Sequence, residues 1–84
     1  MGHSIRIESS AKKYLSLLNI EMRRRVIQAI DKLSSDPRPA GCKKLKSRDA
    51  YRIRIGDYRV IYEIHDNVLV VLIIRIAHRS EAYK

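Results

Sequence analysis

The chain is short of acids, cysteine, glycine and proline. Among its 84 residues are one cysteine, three glycines, two prolines, no tryptophan and no phenylalanine. Acidic residues number 9 against 18 Lys and Arg, a net charge of +9. The lone Cys42 excludes an internal disulfide and fits a reducing compartment. One cysteine and three scattered histidines have no metal-ligand spacing, so no metal site is expected. No glycine-rich phosphate loop and no G-x-S-x-G elbow occurs, which removes those routes to phosphate binding and serine nucleophilicity. The longest apolar run, from Val68 to Ile74, is too short to span a bilayer. The N-terminal stretch has no apolar signal core, so a cytoplasmic protein with no membrane partner is expected.

What is present is a globular composition, 45% hydrophobic and 32% charged, of a size that suggests one small domain over residues 1–84. The excess of positive charge implies a polyanionic partner. It is concentrated in one stretch: Arg38, Lys43, Lys44, Lys46, Arg48, Arg52, Arg54 and Arg59 face only Asp49 and Asp57.

The most informative segment is YRIRIGDYRVIY, residues 51–62. Tyr51, Ile53 and Ile55 alternate with Arg52 and Arg54. After Gly56-Asp57, Tyr58, Val60 and Tyr62 alternate with Arg59 and Ile61. Period-two alternation about a Gly-Asp break predicts a β-hairpin. A loop of Gly56 and Asp57 alone places Arg54 opposite Arg59 and puts Arg52, Arg54 and Arg59 on one face. Like charges directly opposite destabilise a sheet, so an anionic ligand is the better reason for them. Guanidiniums on rigid strands suit a phosphodiester. Tyr51, Tyr58 and Tyr62, with Tyr14, read as core.

Around the hairpin, Ser4 to Glu8 alternates as a strand. Ser9 and Ser10 are suitable N-caps for a helix from Ser10 to Leu18. A second helix from Ile20 to Ser34 carries an apolar stripe of Met22, Val26, Ile27, Ile30 and Leu33, with Arg23, Arg24 and Arg25 on its wet side. Pro37 and Pro39 forbid its continuation. Pro37 to Asp49 reads as a basic loop anchored by Leu45, long enough to favour a functional role. After a turn at His65-Asp66-Asn67, Val68 to Ala77 is apolar on both faces and predicts a central strand covered on both sides. The tail His78 to Lys84 carries His78, suited to acid–base chemistry near neutral pH, and Tyr83, on which an RNA base could stack. His65, beside a turn, reads as structural, and His3 is assigned no role. The expected fold is α+β, two-layer, ordered β-α-α-β-β-β, with a helical hairpin on a mostly antiparallel sheet.

The segments Lys44-Leu45-Lys46, YRIRIGDYRVIYEI (51–64) and VVLIIRIAHRSEAY (70–83) resemble the RelE toxins of bacterial and archaeal toxin–antitoxin systems. The resemblance implies a microbial-ribonuclease-like fold and a metal- and cofactor-independent endoribonuclease. Such an enzyme cuts messenger RNA in the ribosomal A site by attack of a ribose 2′-hydroxyl on the adjacent phosphate. It places catalytic roles on Arg52, Arg54, Arg59, Arg79 and Tyr83, beside the candidate His78. RNA binding is expected of Lys43, Lys44, Lys46 and Arg48. The partners implied are a RelB-like antitoxin, the ribosome and mRNA. This chain departs from the pattern in one respect: arginines stand on the first hairpin strand where lysines are usual. Arginine cannot exchange a proton near neutral pH, which leaves proton transfer open among His78, Tyr83 and Glu63. The wider resemblance also accommodates a ParE-like gyrase poison, and a binding module without toxicity is the third reading.

Overall fold

In the computed structural model, residues 2–46 and 49–81 are described. Arg48 and Tyr83, both expected in the site, lie outside them. The element order is β1 (Ser4–Ile7), α1 (Ser9–Leu17), α2 (Ile20–Lys32), β2 (Lys43–Lys44), β3 (Tyr51–Ile55), β4 (Tyr58–His65) and β5 (Val70–His78). The strands form one five-stranded sheet in the order β1-β5-β4-β3-β2, antiparallel except for the β1–β5 pair. The two helices cover one face, giving the expected two-layer α+β architecture with one additional short strand.

β1 hands the chain directly to α1. The Glu8 amide bonds the Ile73 carbonyl at 3.0 Å, so the backbone stays extended through Glu8 (ψ 153°) and the helix begins at Ser9. Glu8 therefore occupies the N-cap position without a side-chain cap, and the expected caps Ser9 and Ser10 lie inside the helix. Asn19 starts α2 by accepting from the Met22 amide at 2.9 Å. The Arg23 guanidinium donates to the Ser16 and Leu18 carbonyls, both at 3.0 Å, closing the end of α1. Arg23 is thus a brace between helices rather than part of a wet face. α2 ends at Lys32, two residues before the predicted Ser34. Leu33, Ser34 and Ser35 each bond the carbonyl three residues back, a tighter turn than the α-helix.

The core lies between the helices and the inner sheet face. Val26, Leu33, Val60, Tyr62, Val71 and Ile73 are completely buried. On α2 the buried stripe is Val26, Ile30 and Leu33, flanked by Met22 and Ala29, while Ile27 stands 46% exposed. Tyr62 is core, and Tyr14, Tyr51 and Tyr58 pack against it, as expected. The Tyr51 and Tyr62 rings stack at 6.0 Å, and the Tyr62 hydroxyl donates to the Pro37 carbonyl at 2.8 Å, anchoring the loop that follows α2. Burial pushes the Tyr62 phenol above its ordinary pKa.

Two expectations change. The stretch Pro37 to Asp49 is not wholly loop, because Lys43 and Lys44 pair with Arg52 and Tyr51. Ala50 is fully buried there and Leu45 only half-buried. Nor is β5 covered on both sides. Val71, Ile73 and Ile76 are buried under the helices, but Val70, Leu72 and Ile74 remain half-buried on the open face. With two helices there is material to cover only one face of the sheet.

Candidate functional site

The hairpin register brings the arginines together as predicted. Arg54 pairs with Arg59, and Ile55 with Tyr58. Gly56 has φ +59° and Asp57 is not left-handed, which fits a two-residue turn with glycine at its first central position. The turn rests on α2: a Cβ at Gly56 would lie 3.4 Å from Met22 Cε and 3.6 Å from Arg25 Nη1. Arg25, read from sequence as solvated, thus stands beside the hairpin tip.

The end of β5 closes on the same tip. The Arg79 amide donates to the Asp57 carbonyl at 2.7 Å. Arg79 Nε lies 3.8 Å from Asp57 Oδ1, an exposed and therefore weak ion pair. The result is a cleft of about 400 Å³ lined by Arg54, Gly56, Asp57, Tyr58, Arg59, Arg79 and Ser80. Three guanidiniums line one concavity at one end of the sheet. Arg54 and Arg79 are exposed, but Arg59 is only 4% exposed. The open polar face expected for all three hairpin arginines holds for Arg54, while Arg52 is half-buried and Arg59 is enclosed. Enclosure strengthens the field of a guanidinium on whatever enters the cleft. Ala77, opposite Arg59 on β5, is itself buried.

A second row crosses the open face one pair further from the turn. Lys43 pairs with Arg52, Arg52 with Ile61, and Ile61 with Arg75. Arg52 therefore lies beside the cleft rather than in its wall, and Lys43 joins it. Lys44 pairs with Tyr51, so it shares the other face, and it contacts Asp49 at 3.6 Å. Lys46 is exposed in the loop beyond β2. Arg38 is drawn away from the cleft. It donates to Asp66 Oδ2 at 3.0 Å and to the Tyr51 hydroxyl at 3.3 Å, and sits 5.3 Å from the Tyr51 ring centroid. Asp66 also meets His3 Nε2 at 3.0 Å, so His3 has a structural partner. The Arg38 guanidinium, and after it His3, holds the Asp66 carboxyl below its ordinary range.

His78 is set apart from the arginines. It pairs with Tyr58, one residue out of phase with Arg59 and Ala77, and packs edge-on against the Tyr58 ring at 5.3 Å. Its Nδ1 is 2.9 Å from Ser80 Oγ, and its amide donates to the Tyr14 hydroxyl at 3.0 Å. The ring is therefore on the helix side, outside the cleft lining. Burial and the neighbouring Glu81 raise the Tyr14 phenol, against the bond from His78. Glu63 lies on the open face with His65 Nε2 at 2.9 Å, so His65 is structural, as expected. Among the described residues no cluster of three His, Cys, Asp or Glu could hold a metal ion. No described helix is long and apolar enough to cross a membrane.

The chain matches, over residues 5–83, the family described as the ParE toxin of type II toxin–antitoxin system, parDE. It belongs to that family and, through it, to the RelE/ParE superfamily. It is 31% identical over 87 residues to Toxin RelG of Mycobacterium tuberculosis (strain ATCC 25618 / H37Rv), covering 100% of this chain and 99% of that one. The fold is similar to the archaeal RelE of the RelE–RelB complex from Pyrococcus horikoshii OT3. That match has 32% identity and a TM-score of 0.85, covering 94% of this chain and 97% of the other. It is also similar to the E. coli toxin RelE in the free state, an arginine-to-alanine double mutant. There the identity is 25% and the TM-score 0.80, covering 99% of this chain and 92% of the other.

Proposed function

We propose that this toxin is a ribosome-dependent, metal-independent mRNA endoribonuclease that cleaves in the A site and so inhibits translation. The observation that carries the reading is the convergence of Arg54, Arg59 and Arg79 on one cleft. In the reaction a ribose 2′-oxygen attacks the adjacent phosphorus and the bond from phosphorus to the 5′-oxygen breaks. A 2′,3′-cyclic phosphate and a 5′-hydroxyl result. The 2′-hydroxyl loses a proton and the leaving oxygen gains one. Negative charge builds on the non-bridging phosphate oxygens, and three fixed guanidiniums stabilise it where it develops. Arg52 and Lys43 hold the backbone beside the cut, Lys44, Lys46 and Arg48 extend the electrostatic surface, and Tyr83 orients or stacks on the nucleotide.

The described lining of the cleft holds neither histidine nor lysine: its ionisable side chains are Arg54, Asp57, Tyr58, Arg59 and Arg79. His78 and Glu63 act only if the substrate or the chain end comes to them. A site of this kind supplies charge stabilisation and depends on another body to align the 2′-hydroxyl with the phosphate. A ribosome that fixes the message in line meets that need. We therefore expect cleavage of mRNA on translating ribosomes at least about a hundredfold faster than of the same RNA free in solution. Equal rates would mean a self-sufficient ribonuclease.

The partner in the cell is a RelB-like antitoxin, a proposal supported by the RelE–RelB pairing in the P. horikoshii complex and by the +9 charge here. Association with an acidic partner would be fast and salt-sensitive. A second reading, a ParE-like gyrase poison without nuclease activity, is favoured by the family match over residues 5–83. Gyrase supercoiling and ribosomal mRNA cleavage, assayed on one preparation, separate the two.

A further inference from the structure

The turn that brings Arg79 to the cleft is held from behind by a helix residue that does not line the cleft. β1 pairs with β5 from Ser4 to Ile7, opposite Val70 to Ile73. Further along, β5 packs against α1. At the last residue of the strand the His78 N–H donates to the Tyr14 hydroxyl at 3.0 Å. The same hydroxyl donates to Glu81 Oε1 at the longer distance of 3.4 Å. Tyr14 therefore holds both ends of the turn from His78 to Glu81, which also closes on itself, Glu81 amide to His78 carbonyl at 2.9 Å. The two residues between, Arg79 and Ser80, line the cleft. The Tyr14 ring stands edge-on to Tyr58, another lining residue, with centroids 6.4 Å apart. The ring is half-buried and packs on the core. A phenylalanine would supply that packing. What the hydroxyl adds is the place of the turn.

We propose that Tyr14 is a positioning residue for the cleavage reaction: its hydroxyl sets the 78–81 turn so that Arg79 meets the phosphate between Arg54 and Arg59. The proposal rests on the RNA-cleaving reading above. Tyr14 touches neither RNA nor the reacting atoms, and it acts through Arg79. A donor that stabilises developing charge must stand about 2.7–3.1 Å from the oxygen that carries it. A displacement of about 1 Å can cost two orders of magnitude in rate. The Arg79 side chain is weakly held, since it is exposed and its Nε lies 3.8 Å from Asp57 Oδ1. Its place is set by its backbone. That backbone is fixed in front by the bond from the Arg79 amide to the Asp57 carbonyl, and behind by Tyr14.

The test is Tyr14→Phe, which keeps the ring and removes the hydroxyl. Backbone order parameters of the free protein are measured by NMR. We expect Arg79 and Glu81 to fall from about 0.85 to below about 0.6, with Val60 and Ile73 unchanged. Single-turnover cleavage of mRNA on ribosomes is measured in parallel. At saturating toxin the rate should fall about tenfold or more, with the half-saturating concentration within about twofold of wild type. In an Arg79→Ala background the same substitution should cost less than about twofold, because the group it positions is gone. A Tyr14→Phe protein that cuts like wild type overturns the proposal and leaves the nuclease reading intact. So does an equal loss in both backgrounds, which would make the hydroxyl a support of the fold alone. Where Arg79→Ala cuts too slowly to measure, the order parameters decide: unchanged values at Arg79 overturn the proposal. A wild type that cuts no mRNA overturns both readings.

Discussion

On the helix-covered face of the sheet, Val60, Tyr62, Val71 and Ile73 are completely buried, and each has apolar neighbours. On the other face of the same sheet stand Arg6 of β1, Arg52 and Arg54 of β3, Arg59 of β4 and Arg75 of β5. The first face is what folding asks for. Each buried aliphatic or aromatic side chain contributes about 1.5–3 kcal/mol of burial free energy, and nothing there needs a ligand. The second face carries an arrangement that works against folding. Arg54 and Arg59 are opposed like charges. Arg59 is also almost wholly withdrawn from water. Opposed like charges in the wall of a cleft are better explained by what enters the cleft than by what holds the sheet together.

The sharpest way to break this comparison is to alter Arg59 without emptying its site. Arg59→Lys keeps the charge and loses the planar fork of donors. We expect cleavage on ribosomes to fall about 10²–10³-fold, with growth arrest lost and thermal unfolding near that of wild type. Arg59→Ala is the less clean substitution, because truncating an enclosed side chain also leaves a cavity. A folded Arg59→Lys protein that still arrests growth would remove Arg59 from the site.

The inner face should show the opposite pattern, a stability cost without a specific functional one. Leu33 has no exposed surface, and Leu33→Ala is expected to destabilise by about 2–5 kcal/mol in urea unfolding. Ile27, 46% exposed on the same helix, is the control, and its alanine variant should cost under about 1 kcal/mol. Equal costs would mean that α2 is seated differently on the sheet. A smaller effect is expected from Tyr62→Phe. That variant keeps the ring in the core and removes the hydroxyl that bonds the Pro37 carbonyl and meets the Cys42 thiol, at a cost of about 0.5–1.5 kcal/mol.

The hairpin was legible in sequence because its period, its Gly-Asp break and its pairing are local, and the register of Arg54 against Arg59 follows from the loop length alone. The helices were legible as amphipathic segments, but their ends were set by partners distant in sequence. Glu8 displaced Ser9 and Ser10 as cap because the Ile73 carbonyl, far along the chain, holds its amide. The burial of Arg59 had no local signal, since its strand lies between β3 and β5 and the β5 pairing is set far along the chain. His78 looked like a cleft residue because it follows a strand end, yet one step of strand parity puts its ring on the helix side. β2 was missed because two lysines have no strand pattern of their own and pair only through Tyr51 and Arg52. The bulge in β5, where Ile61 and Tyr62 oppose Arg75 and Ile73, has no signal in a run that is apolar on both faces.

The smallest effect concerns the end of the sheet away from the cleft, where charges serve structure. Arg38 and His3 both meet Asp66 at 3.0 Å and hold its carboxyl below the ordinary 3.8. The folded state therefore binds the Asp66 proton less readily than the unfolded chain does. A depressed carboxyl of this kind contributes stability that is fully present above its unfolded pKa and is lost as pH falls through the folded one. The difference in urea midpoint between wild type and Asp66→Asn should be level from pH 7 to about pH 5 and shrink below about pH 4. Because the Asp66 side chain is exposed, the difference should also diminish with added salt. A difference that stays constant down to pH 2 would mean that the Asp66 contacts carry no electrostatic stabilisation. The charges at that end would then be as idle for folding as the cleft arginines are argued to be.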